Sequence, residues 1–221
     1  MTTTECPPLA ERITKSLLGY GVLAGPCYVV VAAAQIAFRD GYDPTRHAVS
    51  QLVNGHLGWI QVANFVVTGL MTMAAGVGVG RALPRGGRAR AAAILLVGYG
   101  AGVFLAGVLW ADPSDGFPPG TPPGMGTPSW HGIAHLVVAA TGFACFAAAA
   151  LVVGGSFARM GAPGWAWCSR VTALAFAASF VALASGLGGA ATVLLFTAAV
   201  VLAWAWLAAV SVTLYRSVGA T

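Results

Sequence analysis

Composition excludes an ordinary water-soluble domain. The chain has 221 residues, of which 58% are hydrophobic and 8% charged, whereas soluble domains carry about a quarter charged residues. The net charge of +5 comes from basic residues scattered between apolar runs, so it does not predict a nucleic-acid-binding face.

Six apolar runs predict six transmembrane helices, because a helix needs about 20 apolar residues to cross a bilayer. The runs are 17–38, 57–80, 91–111, 130–153, 169–187 and 191–214. Small residues four apart, Gly21 with Gly25 and Gly98 with Gly102, favour close helix packing in lipid. We therefore expect an all-α fold, a compact polytopic bundle with a short interfacial helix and a Pro/Gly-rich outer loop. Residues 17–215 form its one domain, between cytoplasmic segments 1–16 and 216–221.

Basic residues predict the orientation of the bundle. Nine of them would lie on one side: Arg12, Lys15, Arg81, Arg85, Arg88, Arg90, Arg159, Arg170 and Arg216. Only Arg39 and Arg46 fall on the other side, so the positive-inside rule places both termini in the cytoplasm of a multi-pass cell-membrane protein. The outer side then receives all four histidines.

The first outer segment predicts a short amphipathic helix. Asp43 suits an N-cap, Pro44 the first helical position, and Asn54 with Gly55 a stop. On such a helix one polar face is shared by His47, Ser50, Gln51 and Asn54.

The second transmembrane run continues this polar surface with Gln61, Asn64 and Thr68, spaced three and four residues apart. An unpaired amide in hydrocarbon costs several kcal/mol, so this stripe should face the bundle interior. For Thr68 we expect an interhelical hydrogen bond. For Gln61 and Asn64, lining a cavity is an equal alternative.

The second outer segment, 112–129, is rich in proline and glycine, which exclude a regular helix and predict a structured lid. Asp112 and Asp115 flank a turn, where carboxylates commonly cap backbone amides. A catalytic role is the alternative for each of them.

The fourth run begins with Trp130, and its His131 and His135 lie four residues apart on one helical face. His135 should lie about 6 Å deeper in the membrane. Ionisable groups within spans tend to face a bundle interior or cavity, which favours a functional role. The alternative is that both histidines simply hydrogen-bond to the first outer segment.

Four motifs carry a resemblance to a known family: Arg46-His47-Ala-Val-Ser50-Gln51-Leu-Val-Asn54-Gly, Gly58-Trp59-Ile-Gln61-Val-Ala-Asn64-Phe, Asp112-Pro-Ser-Asp115-Gly-Phe-Pro-Pro-Gly-Thr-Pro and Trp130-His131-Gly-Ile-Ala-His135. With them the chain resembles, over nearly its whole length, the bacterial and archaeal membrane family catalogued as domain of unknown function 998. The resemblance implies a compact bundle of about six helices and no settled activity. A much weaker similarity, to zinc-dependent hydrolases of the alkaline ceramidase and adiponectin receptor group, lacks their spacing and seven helices. Membrane-bound terpene cyclases are similar in size, without a motif match.

The preferred hypothesis is an enzyme performing acid-base chemistry on a lipid- or isoprenoid-like substrate, such as protonation-initiated cyclisation or isomerisation, in an outward-facing pocket. Its expected catalytic residues are Asp43, His47, Asp112 and His135. Its expected substrate-binding residues are Ser50, Gln51, Asn54, Trp59, Gln61, Asn64, Trp110, Phe117, Trp130 and His131. The aromatic rings among them would stabilise a developing cation, although interfacial tryptophans also form aromatic belts.

Two alternatives use the same residues. One is a metal-dependent lipid hydrolase with zinc at His131 and His135 and either His47 or a nearby aspartate. The other is a small-solute transporter or ligand-binding protein. Apart from that zinc, no cofactor is expected. The expected partners are the lipid bilayer and a lipophilic small molecule, with no nucleic acid, and the oligomeric state is left open.

Overall fold

The computed structural model describes residues 7–124, 126–186 and 189–219. These contain one 3-10 helix, Val49–Val53, and six α-helices: α1 Leu9–Phe38, α2 Gly58–Ala82, α3 Gly87–Val108, α4 Trp130–Arg159, α5 Pro163–Ala184 and α6 Ala190–Ser217. All six α-helices are long and apolar enough to cross a membrane. The predicted all-helical bundle of six spans is confirmed, and the chain is a multi-pass membrane protein.

Several helices extend beyond the predicted apolar runs. The helix α1 begins at Leu9 and has 30 residues, and α4 has 30 residues and ends at Arg159. A helix of this length measures about 45 Å, more than the roughly 30 Å of a hydrocarbon core. The predicted boundary between the N-terminal segment and the membrane domain, at residues 16 and 17, therefore falls within α1. The first turns of α1, which contain Arg12 and Lys15, extend beyond the apolar layer.

The six helices form a closed ring. Each helix packs on its neighbours in sequence, and α6 packs on α1. The ammonium group of Lys15 in α1 lies 5.6 Å from the ring centroid of Tyr215 in α6. Residues 39–57, 109–124 and 126–129 therefore lie together at one end of the bundle, which we call the cap end. The opposite end, with most of the arginines, is the basic end.

Glycines allow close contact between neighbouring helices. A Cβ atom on Gly100 of α3 would lie 2.7 Å from the amide nitrogen of Met73 and 2.8 Å from the carbonyl oxygen of Gly69, both in α2. The predicted small-residue pairs also lie at interfaces: Gly21 and Gly25 face α6, and Gly98 and Gly102 face α4. The prediction of close packing is confirmed at these positions.

The predicted single helix from residue 44 to residue 54 is wrong. The chain first makes a turn, in which the His47 amide donates to the Asp43 carbonyl oxygen at 2.8 Å. Ala48 is extended, with φ −64° and ψ 151°, and the 3-10 helix begins only after it. The Asp43 carboxylate caps this turn, because Oδ1 accepts from the Thr45 amide at 2.8 Å and the Thr45 hydroxyl at 2.7 Å. Since the segment is broken at Ala48, His47 belongs to the turn and not to the helix that contains Ser50 and Gln51.

Arg39 connects the two segments of the cap. Its guanidinium donates to the carbonyl oxygens of Leu52, at 3.1 Å, and of Asn54. The same group lies 5.2 Å from the ring centroid of Phe117, which is fully buried. Within 112–124, the Asp115 amide also donates to the Gly124 carbonyl oxygen at 3.0 Å. The proline-rich loop is therefore structured, and with 39–57 it covers the cap end of the bundle.

Candidate functional site

An apolar cavity of about 210 Å³ lies inside the bundle, between its middle and the cap. Seven aromatic residues line it: Tyr28, Phe65, Tyr99, Phe143, Phe180, Phe196 and Trp204. Polar side chains come from His135 of α4, from Thr197 of α6, and from Ser50 and Gln51 of the 3-10 helix, which lies over the cavity at the cap. The cavity is therefore a mostly aromatic space with few polar groups, which is the usual character of a small-molecule site.

His135 places an ionisable group in the wall of this cavity. The residue is 4% exposed, and Nδ1 lies 2.7 Å from the Leu109 carbonyl oxygen, just beyond the end of α3. Because a carbonyl oxygen only accepts, Nδ1 carries the hydrogen and Nε2 of the neutral ring remains unprotonated. The Ala106 carbonyl also interacts with the ring. His135 is thus held in one orientation and can take up or release a proton.

Asp112 fixes the start of α4. Its Oδ2 accepts from the Ser129 amide at 2.8 Å and its Oδ1 from the Ser129 hydroxyl at 2.6 Å. The Ser129 hydroxyl oxygen in turn accepts from the Gly132 amide at 3.1 Å, as an N-cap does. The hydrogen bonds from Ser129 hold the pKa of Asp112 below its usual value. Ionised Asp112 lies 3.7 Å from Nδ1 of His131 and interacts electrostatically with His135.

Removal of this carboxylate should destabilise the protein in a pH-dependent way. We expect Asp112→Ala to lower the free energy of unfolding by about 1–2 kcal/mol at neutral pH through the lost hydrogen bonds. Since the folded protein holds the pKa of Asp112 below the ordinary value of an aspartate, about 3.8, this difference should shrink as the pH falls below 3.8. Thermal unfolding in detergent, followed by circular dichroism across an acid series, measures it.

Asp40→Ala is the matched control, because Asp40 is exposed at the cap end. The capping role would be contradicted if both variants unfolded at the same temperature at neutral pH. It would also be contradicted if the difference persisted undiminished in acid.

His47 lies within the cap. Its Nδ1 accepts from the Asp43 amide at 2.9 Å, and its Nε2 lies 3.1 Å from the Asp115 carbonyl oxygen, to which it donates. Its ring is packed on those of Tyr42 and Phe117, with centroids 5.4 and 5.5 Å away. The structure therefore gives His47 a clear part in joining the two cap segments, and its catalytic role stays a prediction.

Gln61 and Asn64 belong to a buried amide cluster between α1 and α2. Gln35 Nε2 donates to Gln61 Oε1 at 2.7 Å, and Asn64 Nδ2 donates to the same oxygen at 3.3 Å and to the Tyr28 carbonyl oxygen at 3.2 Å. These contacts match the predicted alternative in which Gln61 and Asn64 form hydrogen bonds between helices and do not line a cavity. Thr68 donates instead to the Asn64 carbonyl oxygen within its own helix, so the interhelical bond expected for it is wrong.

Several of the remaining predicted residues lie at the cap end without lining the cavity. Asn54 Nδ2 donates to Gln51 Oε1 at 3.1 Å and so positions a side chain of the cavity wall. His131 lies beside Trp110 and Trp130, with ring centroids 5.3 and 5.7 Å away. The exposed tryptophans near the cap end, Trp59, Trp110 and Trp130, have the placement of an aromatic belt. Thus Ser50, Gln51 and His135 line the cavity, whereas Phe117 lies in the cap.

A model of the family described as "Protein of unknown function (DUF998)" matches residues 22–213. This range contains the cap and every residue that lines the cavity. The chain belongs to the DUF998 family. No curated protein and no solved structure matches it significantly. The family match confirms the predicted resemblance, and it assigns no activity to the cavity.

The predicted zinc site of this DUF998 protein involves His131 and His135 of α4. Within the described ranges, no three side chains of His, Cys, Asp or Glu converge as a candidate metal site. His131 and His135 each direct Nδ1 to a backbone carbonyl, of Trp110 and Leu109 respectively. The zinc hypothesis therefore stays a prediction that metal analysis of the purified protein would test.

Sequence reasoning missed a cluster in the cavity wall of this DUF998 protein. The ring centroid of Trp204 lies 5.0 Å from that of Tyr28 and 5.8 Å from that of Tyr99, and these residues come from α6, α1 and α3. The sequence did contain a signal for this cluster, because Tyr28, Tyr99 and Trp204 lie within predicted spans. Their hydroxyl and indole N–H groups need hydrogen-bond partners that lipid cannot supply, so they are expected to face the interior of the bundle.

Proposed function

We propose that this DUF998 protein is a membrane-embedded enzyme that moves a proton to or from a lipophilic substrate, as in an isomerisation or cyclisation. The observation that supports the proposal is His135, a buried imidazole with a fixed tautomer in the wall of an aromatic cavity. An imidazole held against a substrate acts as a general acid or base. In an isomerisation the proton leaves one carbon and returns to another, so no co-reactant is needed.

The surroundings of His135 suit this chemistry. The Leu109 carbonyl orients the ring, and the carboxylate of Asp112 stabilises an imidazolium through its negative charge. Aromatic rings in the cavity wall would stabilise positive charge that develops on the substrate. Apolar walls also limit water, which strengthens electrostatic interactions inside the cavity.

The cap end is proposed to face away from the cytoplasm of a cell membrane. Arginines at or beside the α2–α3 and α4–α5 connections lie at the basic end. By the positive-inside rule this end is cytoplasmic. The substrate would therefore be processed in the half of the membrane that faces outward.

Solvent deuterium provides the test, because a proton-transferring enzyme labels its product in D₂O. Membranes from cells that naturally make the protein are incubated in D₂O, with membranes from a deletion strain beside them. Mass spectrometry of the extracted lipids should show a lipophilic compound that gains carbon-bound deuterium only where the protein is present. Identical labelling in the two sets of membranes would contradict the proposal.

A further inference from the structure

We propose that His47 makes the cap a pH-sensitive lid, which is closed over the cavity while the imidazole is neutral and loosens when the ring takes up a proton. The lid has two parts, the first cap segment, residues 39–57, and the second cap segment, residues 109–124. It would regulate the access of water to the cavity. Its biological meaning therefore rests on the proposed function, but its movement can be measured without any reaction.

The hydrogen bonds of His47 require one neutral tautomer. A backbone amide only donates, so Nδ1, 2.9 Å from the Asp43 amide nitrogen, must be unprotonated. A carbonyl oxygen only accepts, so Nε2, 3.1 Å from the Asp115 carbonyl oxygen, must carry the hydrogen. Both bonds fit the same neutral ring, which is 3% exposed. An imidazolium has hydrogen on both nitrogens and cannot accept from Asp43.

His131 and His135 differ from His47 in this respect. Each of them directs Nδ1 to a backbone carbonyl oxygen, that of Trp110 or of Leu109. Protonation of these rings at Nε2 would leave that bond in place and add charge to its donor, which strengthens it. Of the three rings, only that of His47 would lose a hydrogen bond on protonation.

The bond from His47 to Asp115 joins the two cap segments. Among the described residues it is the only hydrogen bond between them. The Phe117 ring of the second segment also packs on the His47 ring. The 3-10 helix begins at Val49, two residues after His47, and carries Ser50 of the cavity wall. Movement of the His47 ring would therefore weaken the joint between the segments next to the cavity.

The charged and titratable groups around His47 come from both segments. The Asp43 carboxylate interacts electrostatically with the His47 ring. The Arg39 guanidinium lies over Phe117, whose ring packs on His47. A carboxylate favours an imidazolium and a guanidinium opposes it, but neither restores the acceptor that Nδ1 loses. The full set of such groups is Arg39, Tyr42, Asp43, Arg46 and Asp115.

Protonation would place two N–H groups against each other. The hydrogen on Nδ1 would point at the Asp43 amide, so either the ring rotates or the turn opens. Both movements take Nε2 away from the Asp115 carbonyl oxygen. Histidines change charge between about pH 5 and pH 8, so we expect a closed cap at the upper end of this range and a loosened cap in acid. Because the cap end is proposed to face outward, the lid would respond to the pH outside the cell.

Spin labels on the two segments test this movement. Asp40 and Pro119 are exposed, and a Cβ atom on Gly41 would lie 3.1 Å from Cγ of Pro119, so labels at 40 and 119 lie close together. Asp40→Cys and Pro119→Cys are combined in the full-length chain, with its own cysteines replaced by alanine, in nanodiscs. The dipolar broadening of the nitroxide spectrum at about pH 8 should be lost by about pH 5, in a reversible transition that fits one proton.

His47→Gln tests the assignment to His47. The glutamine oxygen can accept from the Asp43 amide and its nitrogen can donate to the Asp115 carbonyl, but the amide takes up no proton in this range. We expect this variant to keep the broadening from about pH 8 to about pH 5. His131→Gln is the matched control, and it should show the wild-type transition.

A third label tests whether the movement opens the cavity. Val49 lines the cavity and is half-buried, so Val49→Cys places a nitroxide beneath the cap. Collisions of this label with a water-soluble nickel chelate should increase several-fold between about pH 8 and about pH 5. The same label combined with His47→Gln should show no increase.

Three results would overturn the lid. Broadening that persists to about pH 5 with His47 in place would show that the cap does not loosen, and this titration does not depend on the folding of any His47 variant. A transition that survives in His47→Gln would show that another group causes it. Constant nickel collisions during a loss of broadening would show that the cavity stays closed to water.

These failures are distinct from failure of the enzyme proposal. The cap can loosen in acid without any deuterium transfer, and deuterium transfer can occur beneath a cap that does not respond to pH.

Discussion

His135→Gln should lower the rate of deuterium transfer to the lipophilic product by about 100- to 10,000-fold, the range that a general acid or base contributes. Glutamine can still donate to the Leu109 carbonyl oxygen, but it cannot take up a proton near neutral pH. The variant therefore separates proton transfer from structural support. Initial rates of incorporation are compared in D₂O, in membranes that contain equal amounts of each protein.

His131→Gln is the control for this experiment. His131 also has Nδ1 near a backbone carbonyl, that of Trp110 at 3.2 Å, but it does not line the cavity. We expect it to retain most of the activity, and both variants to unfold near the wild-type temperature. If His135→Gln were as active as the wild type, or if both variants lost activity equally, the assigned role of His135 would be wrong.

Gly100→Ala should destabilise the bundle by about 1–3 kcal/mol, or more if α2 cannot shift. The new methyl group would lie 2.7 Å from the Met73 amide nitrogen and 2.8 Å from the Gly69 carbonyl oxygen. These are backbone atoms, so relief requires α2 and α3 to separate. Since α3 also contributes to the cavity wall, the rate of deuterium transfer should fall together with the unfolding temperature.

Gly19→Ala provides the comparison, because a Cβ atom there has no neighbour within 4 Å. Alanine favours a helix over glycine by up to about 1 kcal/mol, so this variant should be as stable as the wild type or slightly more stable. Thermal unfolding in the same detergent measures both changes. Equal unfolding temperatures for the two variants would show that the α2–α3 contact is looser than the structure indicates.

Much of the architecture could be predicted from local sequence. Runs of about 20 apolar residues are required by the thickness of the bilayer, so the six spans were recognisable. Helix ends were less predictable, because α1 begins at Leu9 among charged residues that hydropathy assigns to water. The single helix predicted after Asp43 is wrong, because its N-cap signals fit a helix but the extended backbone at Ala48 interrupts it.

The candidate site was only partly predictable. His135 stood out because an imidazole within a span requires a polar partner or a cavity. Its partner, the Leu109 carbonyl, could not be identified from the sequence, because every residue carries a carbonyl. The structure shows that α3 ends just before Leu109 and that this carbonyl lies beside His135. For Gln61 and Asn64 the sequence leaves a cavity and helix contacts equally open, because the neighbour that decides between them, Gln35, lies on another helix.

The order of apolar and polar residues along the chain is enough to predict that it spans a membrane and that its histidines gather at one end. Which side chains share the cavity depends on how the helices pack. Tyr28, Tyr99 and Trp204 meet because six helices close into a ring. The spacing of residues within one helix carries no information about which neighbouring helix they will face.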